Sequence, residues 1–341
     1  MNDRKKTERN KILIRLPNWI GDAVMATPFL HAVRRVFPEA RITLLGRRRI
    51  MELLLHFPGC DERWLVDDQP MASLVRRMRS AGFDRGFLLT NSFRSALTFF
   101  LAQVRERIGY ALDLRRVLLN HPLPATGEIL RLPMVEYYMN LLSDFTDISQ
   151  IKREMKLYPS EQEREQAKSL LVQNGWDGAR RLVGINPFSH KWITKRWLPE
   201  RFAELADRLI DRYGVQCVFV SEERDRPLLE TIKGMCRNPL MDLVGKAPLS
   251  VIPALLENYS LFITNDSGLM HVAAAMGTPL VAVFGSTDWR RTAPYTDRAI
   301  LIRKAQDHEP CMKPVCSRDF ACMKQISADE VFAETARYLK L

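Results

Sequence analysis

Short apolar runs of strand length recur along the chain, separated by longer stretches whose apolar positions repeat at helical spacing. In the first half this pattern predicts strands over residues 11–16, 41–45, 64–66 and 85–90, with helices between them, the first over 22–37. A second cycle opens after residue 159 with a charged helix over 160–174, followed by predicted strands at 182–186, 215–220, 261–264 and 280–284. Strand–helix alternation of this kind is the signature of an α/β chain with parallel sheets covered by helices. Two cycles in 341 residues predict two domains, each large enough for its own core. The division reads as 1–157, 158–327 and a terminal helix over 328–341, which spacing leaves open to packing back on the first domain. Residues 110–133 show no periodicity and carry several prolines, so they read either as an irregular connection or as a substrate loop.

Composition narrows the class. Hydrophobic residues at 46% and charged residues at 27% are globular values. No apolar run approaches the roughly 18 residues of a membrane span, and the charged first ten residues lack the pattern of a secretory signal. The expected location is therefore cytoplasmic. Net charge is +11, with +7 in residues 1–150 and +4 in the remainder. Arginine clusters at 47–49, 76–79 and 115–116 lean the first half toward an anionic partner, although a solvated surface reads equally well. Nucleic acid is disfavoured, because no aromatic recognition sequence or helix-turn-helix pattern accompanies the charge. Six cysteines in such a chain imply thiols or a metal site before disulfides.

Three stretches carry candidate chemistry. In the first, the strand at 11–16 ends in Pro17-Asn-Trp-Ile-Gly-Asp22, which delivers Asp22 to the start of a helix. The carboxyl ends of parallel strands form the ligand crevice of open α/β sheets, yet an acid at a helix N-terminus is also a routine cap, and spacing alone favours the cap. In the second, Asn186-Pro-Phe-Ser-His-Lys-Trp-Ile-Thr-Lys-Arg-Trp197 joins a strand to a helix, and its hydroxyls and cations suit a phosphate. It lacks the glycine spacing of a Walker loop, and Lys191, Lys195 and Arg196 also read as surface charges. In the third, a strand ends in Asn265-Asp266-Ser267-Gly268, whose following helix exposes its first amides to an anion. His271 lies one turn further on, either reaching the same ligand or packed in the core. The next strand ends in a second polar turn, Gly285-Ser-Thr-Asp288.

At these stretches, and over nearly the whole chain, the sequence resembles the bacterial heptosyltransferases, glycosyltransferase family 9. Residues 15–28 (Arg-Leu-Pro-Asn-Trp-Ile-Gly-Asp-Ala-Val-Met-Ala-Thr-Pro) and 265–271 (Asn-Asp-Ser-Gly-Leu-Met-His) carry the resemblance, most closely to second-step members. It implies a GT-B fold, two Rossmann-like domains whose parallel sheets face a central cleft, with the acceptor on the N-terminal domain and ADP-heptose on the C-terminal one. It implies inverting transfer of L-glycero-D-manno-heptose to the lipopolysaccharide inner core, as the second heptose, with Asp22 as general base and Lys195 balancing the departing diphosphate. Donor contacts are implied at Ser189, Asp266, Ser267, Gly268, His271 and Thr287, at the ribose from Glu222 or Glu223, and at adenine from the backbone around 243–246. Acceptor contacts are implied at Asn18, Trp19, Arg94, Arg115 and Arg116. The anionic acceptor lies at a membrane surface, which leaves peripheral attachment to the inner face of the inner membrane open.

No cofactor is implied, and a divalent-ion requirement is undetermined. The segment around Ser189-His-Lys-Trp192 departs from the family wording, and Gly285–Trp289 matches it only approximately. The tail holding His308, Cys311, Cys316 and Cys322 resembles that of second-step members, but its spacing is not a paired Cys-x-x-Cys zinc pattern, so ordinary thiols are the expectation. Competing readings are a heptosyltransferase with another core, capsule or protein acceptor, or a sugar-nucleotide epimerase of the same fold. A non-enzymatic sensor is disfavoured by the presence of both Asp22 and Lys195.

Overall fold

The computed structural model describes residues 10–67, 69–189, 192–305 and 310–339. The chain divides into two compact units, Met1–Lys156 and Leu157–Leu341. In the first, β1 (Lys11–Arg15), β2 (Arg41–Gly46), β3 (Glu62–Leu65), β4 (Arg85–Leu88), β5 (Glu106–Tyr110) and β6 (His121–Leu123) form one sheet in the order 3-2-1-4-5-6. The second holds β7 (Leu182–Asn186), β8 (Gln216–Phe219), β9 (Met241–Asp242), β10 (Tyr259–Asn265), β11 (Leu280–Val283) and β12 (Ala299–Ile302), in the order 12-11-10-7-8-9. Every pairing is parallel. Counted from β7, the second sheet repeats the order of the first. Each unit is thus a Rossmann-like doubly wound sheet, and the two together have the GT-B composition.

The central strands are apolar on both faces because helices cover both. β7 and β11 are buried throughout, and Gly184 in β7 is required by close approach, since an added Cβ would stand 2.3 Å from the Tyr259 ring. On the second sheet the helix Pro199–Tyr213 buries Phe202, Leu205 and Leu209, each stabilising the unit by about 1.5–3 kcal/mol. The terminal helix Ala328–Leu339 packs on that helix and on β10 and β11, with Phe332 stacked 5.7 Å from Tyr213. Its place is on the second unit, where the Ala328, Val331 and Leu339 stripe joins the core.

The pattern predicted one helix over 22–37; two form, Ile20–Met25 and Thr27–Val36. The break is set by Pro28, which has no N–H, and by Thr27, whose hydroxyl donates to Val24 O at 2.7 Å and accepts from Lys156 N at 3.2 Å. The charged helix runs over Glu161–Gln173 behind a Ser160–Glu163 capping box. Residues 110–133 contain β6, a 3-10 turn (Arg115–Leu118) and a short helix (Gly127–Arg131). β5, β6, β9 and β12 were not predicted: β6 and β9 are very short and β5 opens on two charged residues, while β12 is a short apolar run that was overlooked.

Candidate active site

In a sheet of this order, helix crossovers go to opposite faces on either side of the first and fourth strands, which opens a crevice at their carboxyl ends. In the second unit those strands are β7 and β10. β7 leads into the Ser189–Lys195 segment and β10 into Asp266, Ser267 and Gly268, so both predicted motifs meet at one crevice. Lys195 Nζ lies 2.8 Å from Asp266 Oδ2, and the Thr287 hydroxyl donates to the same oxygen at 2.6 Å. Asp266 is 5% exposed and Lys195 22%. The carboxylate is buried with its cation, while the ammonium retains an open side.

The loops are fixed from below. Asn265 Oδ1 accepts from Trp197 N at 2.9 Å and its Nδ2 donates to Pro187 O at 2.7 Å, tying the β10 turn to both ends of the β7 loop. Asn186 Nδ2 donates to Ser267 Oγ at 3.0 Å, and Ser267 Oγ accepts from Met270 N at 3.3 Å as the cap of the helix Gly268–Ala275. The remaining early amides of that helix have no partner within it, the usual condition for receiving an anion. Thr194 Oγ1 lies 3.0 Å from Ser286 Oγ and donates to Lys313 O at 2.7 Å, and Met312 N donates to Ser286 O at 2.8 Å. The cysteine-bearing tail thereby holds the β11 turn. Asn186, Asn265 and Thr194 were missed as positioning residues; for the two asparagines the signal available was a polar residue ending each of the two central apolar strands, and for Thr194, inside a short 3-10 turn, there was none.

Ser189 is buried, and its carbonyl accepts from Arg196 Nη2 at 3.0 Å. His271 is buried too, and its Nδ1 has no hydrogen-bond partner among the described residues. Burial holds the imidazole pKa down at about 4, with Lys195 acting in the same direction and Asp266 against it. The unfolded chain takes up this proton near pH 6.5, the folded protein only near pH 4, so stability falls as pH drops through that window, by up to about 3 kcal/mol. Urea melts at pH 7 and pH 5 are expected to show a larger acid loss in the wild type than in His271→Asn; equal losses would contradict the assignment.

In the segment expected to meet adenine, Gly245 adopts φ +73° and its N–H donates to Ser221 O at 2.9 Å. Glu223 stands against it and holds Arg226 through both carboxylate oxygens, at 2.5 and 2.8 Å. Glu222 pairs with Arg224 at 2.9 Å. Both acids expected at the ribose therefore stand in ion pairs.

In the first unit, β1 and β4 flank the corresponding crevice. Asp22 lies in the first turn of the helix Ile20–Met25, directly beyond β1, and is half-buried. Trp19 is 50% exposed beside it, and Asn18 Oδ1 accepts from Arg15 Nη2 at 2.7 Å. Burial, with Arg47 adding to it, lowers the Arg15 pKa to about 10 despite Asp67. Arg47, Arg48 and Arg49 are exposed beyond β2, so this strand edge is cationic. Arg94 and Arg116 are exposed.

Arg115 is a correction. It is 0% exposed, and its guanidinium donates to Tyr110 O at 2.8 Å, to Thr90 O and to Asn91 Oδ1 at 3.0 Å. Each of its three nitrogens staples the β4 and β5 ends, and its burial removes it from the surface where an acceptor would meet it. Arg115→Met is expected to destabilise the protein by about 3 kcal/mol in urea unfolding, through the acceptors left unpaired, without raising the acceptor KM of the folded fraction. A raised KM at unchanged stability would restore the contact role.

All six cysteines are free thiols. Among the described residues no three or more His, Cys, Asp or Glu side chains stand together as a metal site. His190, Lys191 and His308 lie outside the described residues. Among the described residues no helix is long and apolar enough to cross a membrane.

The sequence model of glycosyltransferase family 9 (heptosyltransferase) matches residues 71–321. Lipopolysaccharide heptosyltransferase 2 of Escherichia coli (strain K12) is 31% identical over 311 residues, covering 86% of this chain and 88% of that protein. The solved structure of E. coli ADP-heptose lps heptosyltransferase II superposes with a TM-score of 0.80 at 28% identity, covering 96% of this chain and 98% of that one. A family 9 glycosyl transferase from Veillonella parvula DSM 2008 superposes at 0.87 and 24% identity, covering 97% of each chain, a likeness of fold.

Proposed function

The chain belongs to glycosyltransferase family 9, the heptosyltransferases, and on that premise we propose that it transfers L-glycero-D-manno-heptose from ADP-heptose to the lipopolysaccharide inner core. The acceptor is the heptosyl-Kdo2-lipid A stage, so the sugar added is the second heptose. The observation that carries the reading is the Lys195–Asp266–Thr287 cluster at the switch point of the second sheet, a fixed cation beside unspent helix amides.

Asp22 takes the proton from the acceptor hydroxyl as that oxygen attacks the anomeric carbon and ADP leaves from the opposite face. One base suffices, and the configuration inverts. Lys195 stabilises the charge that grows on the departing diphosphate, with the Ser267 and Gly268 amides adding hydrogen bonds. Asp266 aims the ammonium, and since a carboxylate repels phosphate, its contact with the donor is to a sugar hydroxyl. Glu222 holds the ribose, and Trp19 with Asn18 the acceptor sugar. No cofactor is needed for these steps.

Product linkage tests the reading. Transfer from the β-configured donor is expected to give a single α-linked heptose by anomeric-proton NMR, on heptosyl-Kdo2-lipid A and not on Kdo2-lipid A. A β linkage would remove the single-base mechanism, and preference for the heptose-free acceptor would remove the second-step assignment.

A further inference from the structure

The helix Phe93–Leu101 buries Ala96 and Phe99 in the core, yet its outward face is apolar as well. A helix lying on a sheet ordinarily buries its apolar stripe and turns hydroxyls and charges outward. Here Ser95 and Thr98 are buried and satisfied by carbonyls of the preceding turn, Ser95 Oγ to Ser92 O at 2.7 Å and Thr98 Oγ1 to Arg94 O at 2.8 Å. Phe93, Phe100 and Leu101 face outward instead. The 3-10 turn Arg115–Leu118 packs beside this helix and extends the surface with Leu114, 90% exposed, and Val117, 81% exposed. Leu114 sits at φ 56°, a left-handed conformation unfavourable to leucine, at the tip of the turn.

Arginines are set among these side chains. Arg94 and Arg116 are exposed and have no ion-pair partner among the described residues. Arg107 lies over the Phe100 ring at 5.3 Å, and its N–H groups are held by the Leu118 and Val104 carbonyls, each at 2.7 Å. Asp113 is the acid on the turn itself, and Arg105 is offset by Asp84 at 3.3 Å. The face is therefore apolar with a basic excess.

We infer that this face of the first unit, the outward side of the Phe93–Leu101 helix with the Arg115–Leu118 turn, seats the protein on an anionic lipid bilayer. Exposed phenylalanine, leucine and valine enter the headgroup–acyl boundary, and the arginines meet lipid phosphates. Charge complementarity selects this occupant: in a symmetric contact with a second copy, Arg94 and Arg116 would face like charges across the interface. The inference does not depend on which sugar is transferred, because nothing in it involves the donor site.

Flotation of the full chain with phosphatidylcholine vesicles, with and without 30% phosphatidylglycerol, tests it in the absence of donor and acceptor. Binding is expected only to the anionic vesicles. Arg94→Gln with Arg116→Gln should weaken it about 25-fold, at about fivefold for each arginine near an anionic surface. Phe100→Ser, Leu114→Ser and Val117→Ser together should abolish flotation while leaving the melting temperature and transfer to a water-soluble, deacylated acceptor unchanged. Equal binding to neutral vesicles, or flotation unaffected by the triple variant, would overturn the inference. So would a concentration-dependent dimer in sedimentation that the triple variant dissolves, since the face would then belong to a second copy.

Discussion

Asp22→Asn is expected to lower the transfer rate by about 10²–10⁴-fold, the usual contribution of a positioned general base, with little change in fold or donor affinity. The substitution conserves volume, and Asp22 sits in the first turn of a six-residue helix whose backbone bond, Ala26 N to Asp22 O at 3.0 Å, does not involve the carboxylate. If the carboxylate served only the helix dipole from the first turn, the same change would cost about 0.3–1 kcal/mol of stability and leave turnover nearly intact. Rate and thermal melt measured side by side separate the two roles. Unchanged turnover with a lowered melting temperature would reduce Asp22 to a partner of the helix dipole.

Lys195→Ala is expected to affect both stability and rate. Its loss leaves the Asp266 carboxylate buried with Thr287 as the remaining partner of Oδ2, and orphaning a buried charge costs about 3–5 kcal/mol at full burial, less here because Lys195 is partly open. The rate should fall by about 10²–10³-fold if the ammonium balances charge on the diphosphate. A cycle with Asp266→Asn distinguishes the effects. Removing both charges should restore most of the stability, because no unpaired carboxylate remains, and none of the rate. Recovery of rate in the double variant would show that Lys195 serves only the fold.

The parts of this account legible from sequence were those set by local chemistry. Strands such as 182–186 are apolar runs closed by a polar or turn residue, and the loops after them announce themselves by clustered Asn, Ser, Asp and Lys. What was not legible depended on tertiary pairing. β9 has two residues, too few to show a pattern, whereas β12 is a four-residue apolar run, Ala299–Ile302, whose signal was present and was missed. Arg115 and Arg116 are adjacent and chemically alike, yet one is fully buried against three acceptors and the other is exposed. Only the meeting of β4, β5 and the turn between β5 and β6 decides which. The helix Phe93–Leu101 shows the converse: its apolar residues are evident in the sequence, but which of them turn outward, Phe93, Phe100 and Leu101, and which enter the core, Ala96 and Phe99, is a property of the packed sheet.

The most direct test of the central claim is mass spectrometry of heptosyl-Kdo2-lipid A after incubation with the purified protein and ADP-heptose, with released ADP measured in parallel. The account predicts a gain of one heptosyl residue per acceptor with one ADP released, and neither with Asp22→Asn over the same interval. An acceptor of unchanged mass, across this and other inner-core acceptors, would contradict it.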